Sequence, residues 1–295
     1  MNRTLLFLSL SLAAPGALLA DAAADMSGAR ALFEAGRLPE AQRAFERLLA
    51  ADPSNADVHY YLGQLALERG DAGNAVGELE KAVALAPGSA RSHCALGDAY
   101  GRSAEKAGIF GSFSLARKCL AEFERAASIE PRNVEFHERL FEYYSRAPSI
   151  VGGGTDKAEG EAAAIERLDP SRGRQAYAAL YIADGKYDLA LAELDKTLRI
   201  APEDYASLYQ VGRLAAISGK HLERGLASLR HCLKLDAPKG APPHPAVQWR
   251  LGNILEKNGD PAGARAAYKA ALAIDPKFAP AADALRALDH AHGGA

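Results

Sequence analysis

The sequence predicts an all-α solenoid of about seven helix–turn–helix units closed by a C-terminal cap helix. Three observations carry this expectation. Pro53, Pro87, Pro131, Pro170, Pro202 and Pro276 each close a helical unit, on a beat of about 34 residues that only insertions stretch. Gly36, Gly70, Gly185, Gly219 and Gly259 stand where a first helix should stop, and Ala41, Ala75, Ala158, Ala190 and Ala264 follow inside a second helix. No segment sustains the period-two alternation that a half-buried strand requires.

The chain opens on a segment of a different kind. Arg3 precedes a mostly apolar run over residues 5–19, which ends in Leu18-Leu19-Ala20 before Asp21. A charged start, an apolar middle and a small-residue end are the parts of a cleaved secretory signal. The run is too short and too alanine-rich for a permanent membrane span. No cysteine follows it, so a lipoprotein anchor is excluded. Residues 1–20 are therefore expected to be removed on export, which places the mature protein in the periplasm or outside the cell. Counting back from Gly36, Ala41 and Pro53 starts the first repeat near Ala22, so cleavage after Ala20 leaves it whole.

Seven units then follow at residues 22–55, 56–89, 90–133, 134–170, 171–204, 205–238 and 245–278, with residues 279–290 as the cap. The second shows the logic. Apolar residues recur at three- and four-residue spacing over 56–69 and again over 74–85. Gly70 supplies the positive φ that ends a helix, and Pro87 cannot continue one. Gly63, Gly97, Gly212 and Gly252 fall midway along first helices, where a side chain would push the crossing helix away. In the second unit Leu62, Leu65, Ala66, Leu79 and Ala82 fill the space between the helices. The cap is needed because the last hydrophobic face of a solenoid is otherwise bare.

This 34-residue pattern of small residues resembles the tetratricopeptide repeat (TPR). The resemblance implies a right-handed superhelix in which first helices line a concave groove. It also implies an interaction scaffold rather than an enzyme. Two units depart from the period. The third has about ten extra residues between Tyr100 and Phe123, including Ile109-Phe110-Gly111-Ser112-Phe113, and the fourth about five, including Ile150-Val151-Gly152-Gly153-Gly154. Over residues 90–170 these features resemble a subgroup of exported bacterial TPR proteins with a lengthened third repeat and a Gly-Gly-Gly turn. The inserts are read either as packing over a lengthened helix pair or as a docking surface.

Composition narrows the function. With 48% hydrophobic and 24% charged residues the chain can bury a large core, and a formal net charge of −2 gives no general basis for binding nucleic acid or an anionic membrane. Cys94, Cys119 and Cys232 are too few for a disulfide framework. Cys119 and Cys232 read as buried small hydrophobes, and a bridge between Cys94 and Cys119, on the two helices of one unit, is conceivable although their expected directions differ. Gly152-Gly153-Gly154-Thr155-Asp156-Lys157 lacks the order and the preceding strand of a phosphate loop. Thr155 is expected instead to cap the helix that follows. His59, His93 and His137 share one position in three successive first helices. Equivalent positions in stacked pairs lie about 10 Å apart, whereas zinc ligands sit about 2.1 Å from the ion, so these histidines read as structural. Ser, His and Asp are scattered without a nucleophile pattern. No catalytic residue, metal or cofactor is expected.

The TPR resemblance places the partner-binding residues on first helices. Tyr60, Gln64, Arg91, Asp98 and Arg102 belong to the second and third units. Glu138, Glu142, Arg146 and Arg172 belong to the fourth and fifth, and Tyr209, Arg213, Trp249 and Asn253 to the last two. Mixed charge with aromatics suits peptide recognition, because Arg, Tyr and Trp dominate binding hot spots. The lysine–asparagine clamp of chaperone-binding TPR modules is missing: the corresponding residues are Met26 and Arg30, Tyr60 and Gln64, and Cys94 and Asp98. The expected function is an exported scaffold for a protein or peptide. A small-ligand carrier or an accessory subunit of an envelope enzyme, using the groove near the inserts, is the alternative. N-terminal sequencing of the envelope form should begin at Asp21 or within a few residues of it; a mature protein beginning at Met1 would overturn the export reading.

Overall fold

The computed structural model describes residues 15–292. The expected leader, residues 1–20, lies outside them except for its end, which belongs to the first helix. Among the described residues there are fifteen α-helices, one 3-10 turn and no strand. They form two compact units.

The first unit contains three helix pairs: α1 (Pro15–Glu34) with α2 (Leu38–Ala51), α3 (Ala56–Glu68) with α4 (Ala72–Leu85), and α5 (Ala90–Lys106) with α6 (Ile109–Ile129). Helix starts are capped where the backbone needs it. Asn55 accepts the N–H groups of Asp57 and Val58 at 3.1 and 3.2 Å, and Asp71 accepts that of Asn74. These bonds satisfy donors that have no partner inside the helix. Gly70 ends the α3 turn at φ 73°, a left-handed backbone that only glycine adopts without strain. Ala29, Ala41, Phe45, Val58 and Leu65 make one core cluster, with Phe45 stacked on Tyr61 at 4.9 Å.

The extra residues of the third pair extend both helices. α5 has 17 residues and α6 has 21, against 13 and 14 in α3 and α4, and the break between the long pair is only Ala107-Gly108. Insertions commonly become loops, but here the added residues contain no proline, so the helices simply run on. Phe113 stays 36% exposed on α6. Ile150–Gly152 also belongs to this unit: Arg117 donates to the Ile150 carbonyl at 3.1 Å, and Gly152 lies against Leu120.

The second unit comprises Asn133–Ser149 and Gly153–Ala295. Its pairs are α7 (Val134–Arg146) with α8 (Thr155–Leu168), α9 (Pro170–Ala183) with α10 (Tyr187–Ile200), α11 (Tyr205–Ser218) with α12 (Leu222–Cys232), and α13 (His244–Lys257) with α14 (Pro261–Ile274). The last helix, α15 (Ala279–His292), packs on α14 and α13 and buries Ala281 and Leu288. Leu288 joins a cluster containing Leu229, Ile254 and Tyr268, which would otherwise face water.

Two local expectations are corrected. Pro170 does not close a unit but opens α9, where its missing N–H is harmless. Asp169 ends α8 and at the same time caps α9, accepting the N–H groups of Ser171 and Arg172. Thr155 is the first residue of α8 and makes no side-chain cap; Gly154 occupies the cap position. The Gly154 N–H donates to the Tyr144 carbonyl at 2.9 Å, and Gly153 sits so close to the Ala147 carbonyl that any Cβ would collide with it. The glycines bend the chain back onto the end of α7, so their N–H groups are turned to that purpose.

Within a pair, the decisive contact is a crossing without a side chain. A Cβ on Gly63 or Gly97 would lie 2.5 Å from Leu79 or Phe123, and one on Gly212 or Gly252 would be closer still to Leu229 or Tyr268. Those four partners are buried, and each large side chain removed from water contributes about 1.5–3 kcal/mol. Gly252→Ala should therefore destabilise the protein by about 1–3 kcal/mol through overpacking. Gly77, in α4, has no atom within 4 Å of an added Cβ. Gly77→Ala should be stabilising by about 0.5–1 kcal/mol. Urea unfolding of both variants checks the contrast, and equal effects would refute the packing account.

Candidate partner-binding face

First helices approach one another directly. α3 packs on α5 in the first unit, and α9 on α11, α11 on α13 and α13 on α15 in the second, whereas second helices make no comparably close approach to one another. The first-helix side is thus the inner side of each stack. Most of the residues expected to bind a partner do lie on these helices with polar ends exposed or half exposed.

In the first unit, Tyr60, Gln64 and Arg91 come together. The Arg91 guanidinium lies 4.7 Å from the Tyr60 ring centroid and is ion-paired with Asp57 of the preceding repeat. Gln64 Nε2 donates to the Tyr60 hydroxyl at 3.1 Å. Burial pushes the Tyr60 phenol above its ordinary value, although Gln64 and Arg91 act in the other direction. Arg102 is partly committed to the scaffold, donating to the Leu67 carbonyl at 2.9 Å near the end of α3. The cation adds a charge-assisted bond to a carbonyl of the helix end that also accepts from the Gly70 N–H at 3.0 Å. Asp98 is half buried on α5.

In the second unit, Arg172 makes a two-pronged ion pair with Glu138, with Nε at 2.6 Å from Oε1. Arg146 pairs with Glu142 at 2.8 Å on the exposed end of α7. Asn253 Oδ1 lies 2.8 Å from the Tyr268 hydroxyl, whose one proton it shares with the Glu256 carboxylate, so its side chain is tied to α14. Trp249 is half buried, edge-on to Phe278 at 6.2 Å. Tyr209 is only 8% exposed and belongs to the core, which removes it from the contact surface. Its hydrophobic ring is used beneath the face, not on it.

Residues 27–90 match a model of the tetratricopeptide repeat, and residues 245–278 match a second such model. Among solved structures, a tetratricopeptide repeat protein from Parabacteroides merdae superposes with a TM-score of 0.65 at 15% identity, over 90% of this chain and 98% of that one. The chain contains tetratricopeptide repeats and has the fold of a TPR solenoid. A thermophilic TPR protein of Thermus thermophilus gives 0.51 at 23% identity, over 72% of this chain and 99% of that one. Yeast Tom70 gives 0.64 at 16% identity, over 87% of this chain and 52% of that one. At such identities the likenesses show the TPR fold alone. No curated protein matches the sequence. TPR domains typically bind protein partners, and the fold is that of an interaction scaffold.

The TPR frame also explains the histidine column, whose partners the sequence did not reveal. Nδ1 of His59, His93 and His137 meets a carboxylate of the second helix in the same pair: Glu78 at 2.6 Å, Glu122 at 2.5 Å and Glu161 at 2.7 Å. Nε2 of His59 and His93 meets the carbonyl of the preceding proline, Pro53 or Pro87, at 3.0 and 3.1 Å. Each ring ties two helices of one TPR pair, and for His59 and His93 also the turn before it. The glutamates were legible only in retrospect, because insertions change their separation from the histidine. All three cysteines are buried thiols. Burial pushes Cys232 up to about 12, so it remains a neutral thiol, facing the Tyr205 carbonyl at 3.6 Å.

Glu78 tests the ladder. Burial alone would raise its pKa, but the hydrogen bonds from Lys81 and His59 outweigh that and hold it below its ordinary value. A depressed folded value contributes stability above the unfolded value of about 4.3, lost as pH falls through the folded value. Glu78→Gln should therefore cost about 1–2 kcal/mol at neutral pH, the scale of a hydrogen bond to a charged group. That difference should shrink below about pH 4. Urea midpoints at the two pH values check it; a difference independent of pH would rule out the charged pair.

Proposed function

We propose that this TPR protein is an exported, non-enzymatic scaffold that holds a protein or peptide partner on the inner, first-helix faces of its repeats. The observation that supports this best is the set of charged and aromatic side chains held in place there yet open to solvent. Arg91 over Tyr60 is the clearest example: ion-paired with Asp57 and resting on a ring, it loses little further freedom when a partner arrives. Both signs of charge occur on each face, which favours register and partner choice over raw affinity. Export rests on the leader pattern of residues 1–20, and a periplasmic or secreted site follows from it. Among the described residues no helix is long and apolar enough to cross a membrane.

Affinity capture from the native envelope, followed by mass spectrometry, supplies the partner. Arg91→Glu and Glu142→Lys should each reduce its recovery about tenfold or more, the loss of one charge-assisted contact. Arg47→Glu on α2 and Lys269→Glu on α14 alter exposed second-helix positions and should leave recovery unchanged. Loss through the second-helix variants alone would move the binding face to the other side of the repeats.

A further inference from the structure

The arginines on the inner faces differ in their partners, Arg102 being bonded to the Leu67 carbonyl. Arg91, Arg146 and Arg172 each have a carboxylate partner. Arg213 on α11 and Arg250 on the adjacent α13 have none: among the described residues no ion pair holds either. Arg213 is half buried, and its Nη1 donates only to the neutral Gln210 side chain at 3.2 Å. Arg250 lies with its guanidinium carbon 4.1 Å from the Trp249 ring centroid, and its Nε is buried without a hydrogen-bond partner. The acids nearest in sequence register are engaged elsewhere, Glu142 with Arg146 and Glu256 with the Tyr268 hydroxyl. Burial first, then the like charge of Arg250, depresses the pKa of Arg213; Tyr209 opposes this, and Arg146 adds a smaller lowering.

Two half-buried guanidinium groups on the packed helices α11 and α13, one with a buried unpartnered Nε and neither in an ion pair among the described residues, leave two like charges to repel unneutralised. A bound anion removes that repulsion and satisfies the donors together. We propose that Arg213 and Arg250 form a carboxylate-binding site, occupied by an aspartate or glutamate side chain in an extended segment of a protein partner. The guanidinium fork matches a planar carboxylate. The Trp249 ring beside it offers an apolar face for the neighbouring peptide residue. Extended polyanions fit poorly, because the chain carries a formal net charge of −2 and Glu138 and Glu142 stand on the same unit's first helices. This inference rests on the partner-binding reading above and names the chemistry of that partner.

The test uses the full chain and a short, end-blocked peptide with two central glutamates, next to its glutamine counterpart. Trp249 is the chain's single tryptophan, so its emission reports binding at this place. The glutamate peptide should bind saturably and shift that emission, more weakly as salt rises. The glutamine peptide, and the Arg213→Gln/Arg250→Gln protein of unchanged circular dichroism, should each bind about tenfold or more weakly. Arg213→Lys, which retains charge but loses the fork, should fall between. The inference is overturned if the glutamate peptide does not bind, if it binds the double variant equally, or if the glutamine peptide binds as well. Glutarate binding as tightly as the peptide would overturn it too, in favour of a small-ligand site. Envelope capture that still responds to Arg91→Glu while the peptide fails would remove the carboxylate site alone and leave the scaffold reading standing.

Discussion

The whole arrangement depends on two helices crossing where one of them has no side chain. At Gly63, Gly97, Gly212 and Gly252 the partner helix brings Leu79, Phe123, Leu229 or Tyr268 into the space a Cβ would need. Close-packed interiors tolerate little mismatch, so this contact sets the separation of these four pairs. Once a pair is set, the next in the same unit adds by packing its first helix on the second helix of the pair before, with first helices also meeting at α3–α5, α9–α11 and α11–α13. The face residues on α3, α5, α11 and α13 follow from that constraint, since each is carried by a helix that the crossing holds in place. The pair with the bulkiest insert obeys the same rule: α5 and α6 lengthen, yet Gly97 still receives Phe123.

Polar groups are divided between holding the stack and meeting a partner. The His59, His93 and His137 rings each spend Nδ1 on a glutamate across the pair, and His59 and His93 spend Nε2 on a proline carbonyl as well. Arg102 closes a helix end, Arg172 joins α9 to α7, and Asn253 is held by Tyr268. Such side chains lie on the face but are already occupied. Arg213 and Arg250 are different because, among the described residues, the contacts they make are one neutral acceptor and one aromatic ring, with no ion pair. The distinction between a tied and an untied arginine is what turns a polar face into a specific site.

Much of the architecture was legible from residue types alone. The positive φ at Gly36, Gly70, Gly185, Gly219 and Gly259, the small residues at the crossings, and the prolines in the turns are demands of backbone geometry, written directly into the sequence. Local signals were less reliable where one residue can serve two elements. Pro170 looked like a terminator and is the first residue of α9, because Asp169 both ends one helix and caps the next. Thr155 looked like a cap, but the glycine turn had already placed Gly154 there.

The binding face shows where the boundary lies. Repeat register by itself determined that Tyr60, Arg91, Glu138, Arg213 and Trp249 sit on first helices, since helix and register follow from short-range pattern. Register could not say that Tyr209 sinks into the core, that Asp57 and Glu138 neutralise arginines, or that Arg250 stands beside Arg213 unneutralised. Those outcomes depend on distances between side chains on different helices. The tertiary structure alone decided them, because burial and charge pairing are properties of neighbours in space rather than of position along the chain.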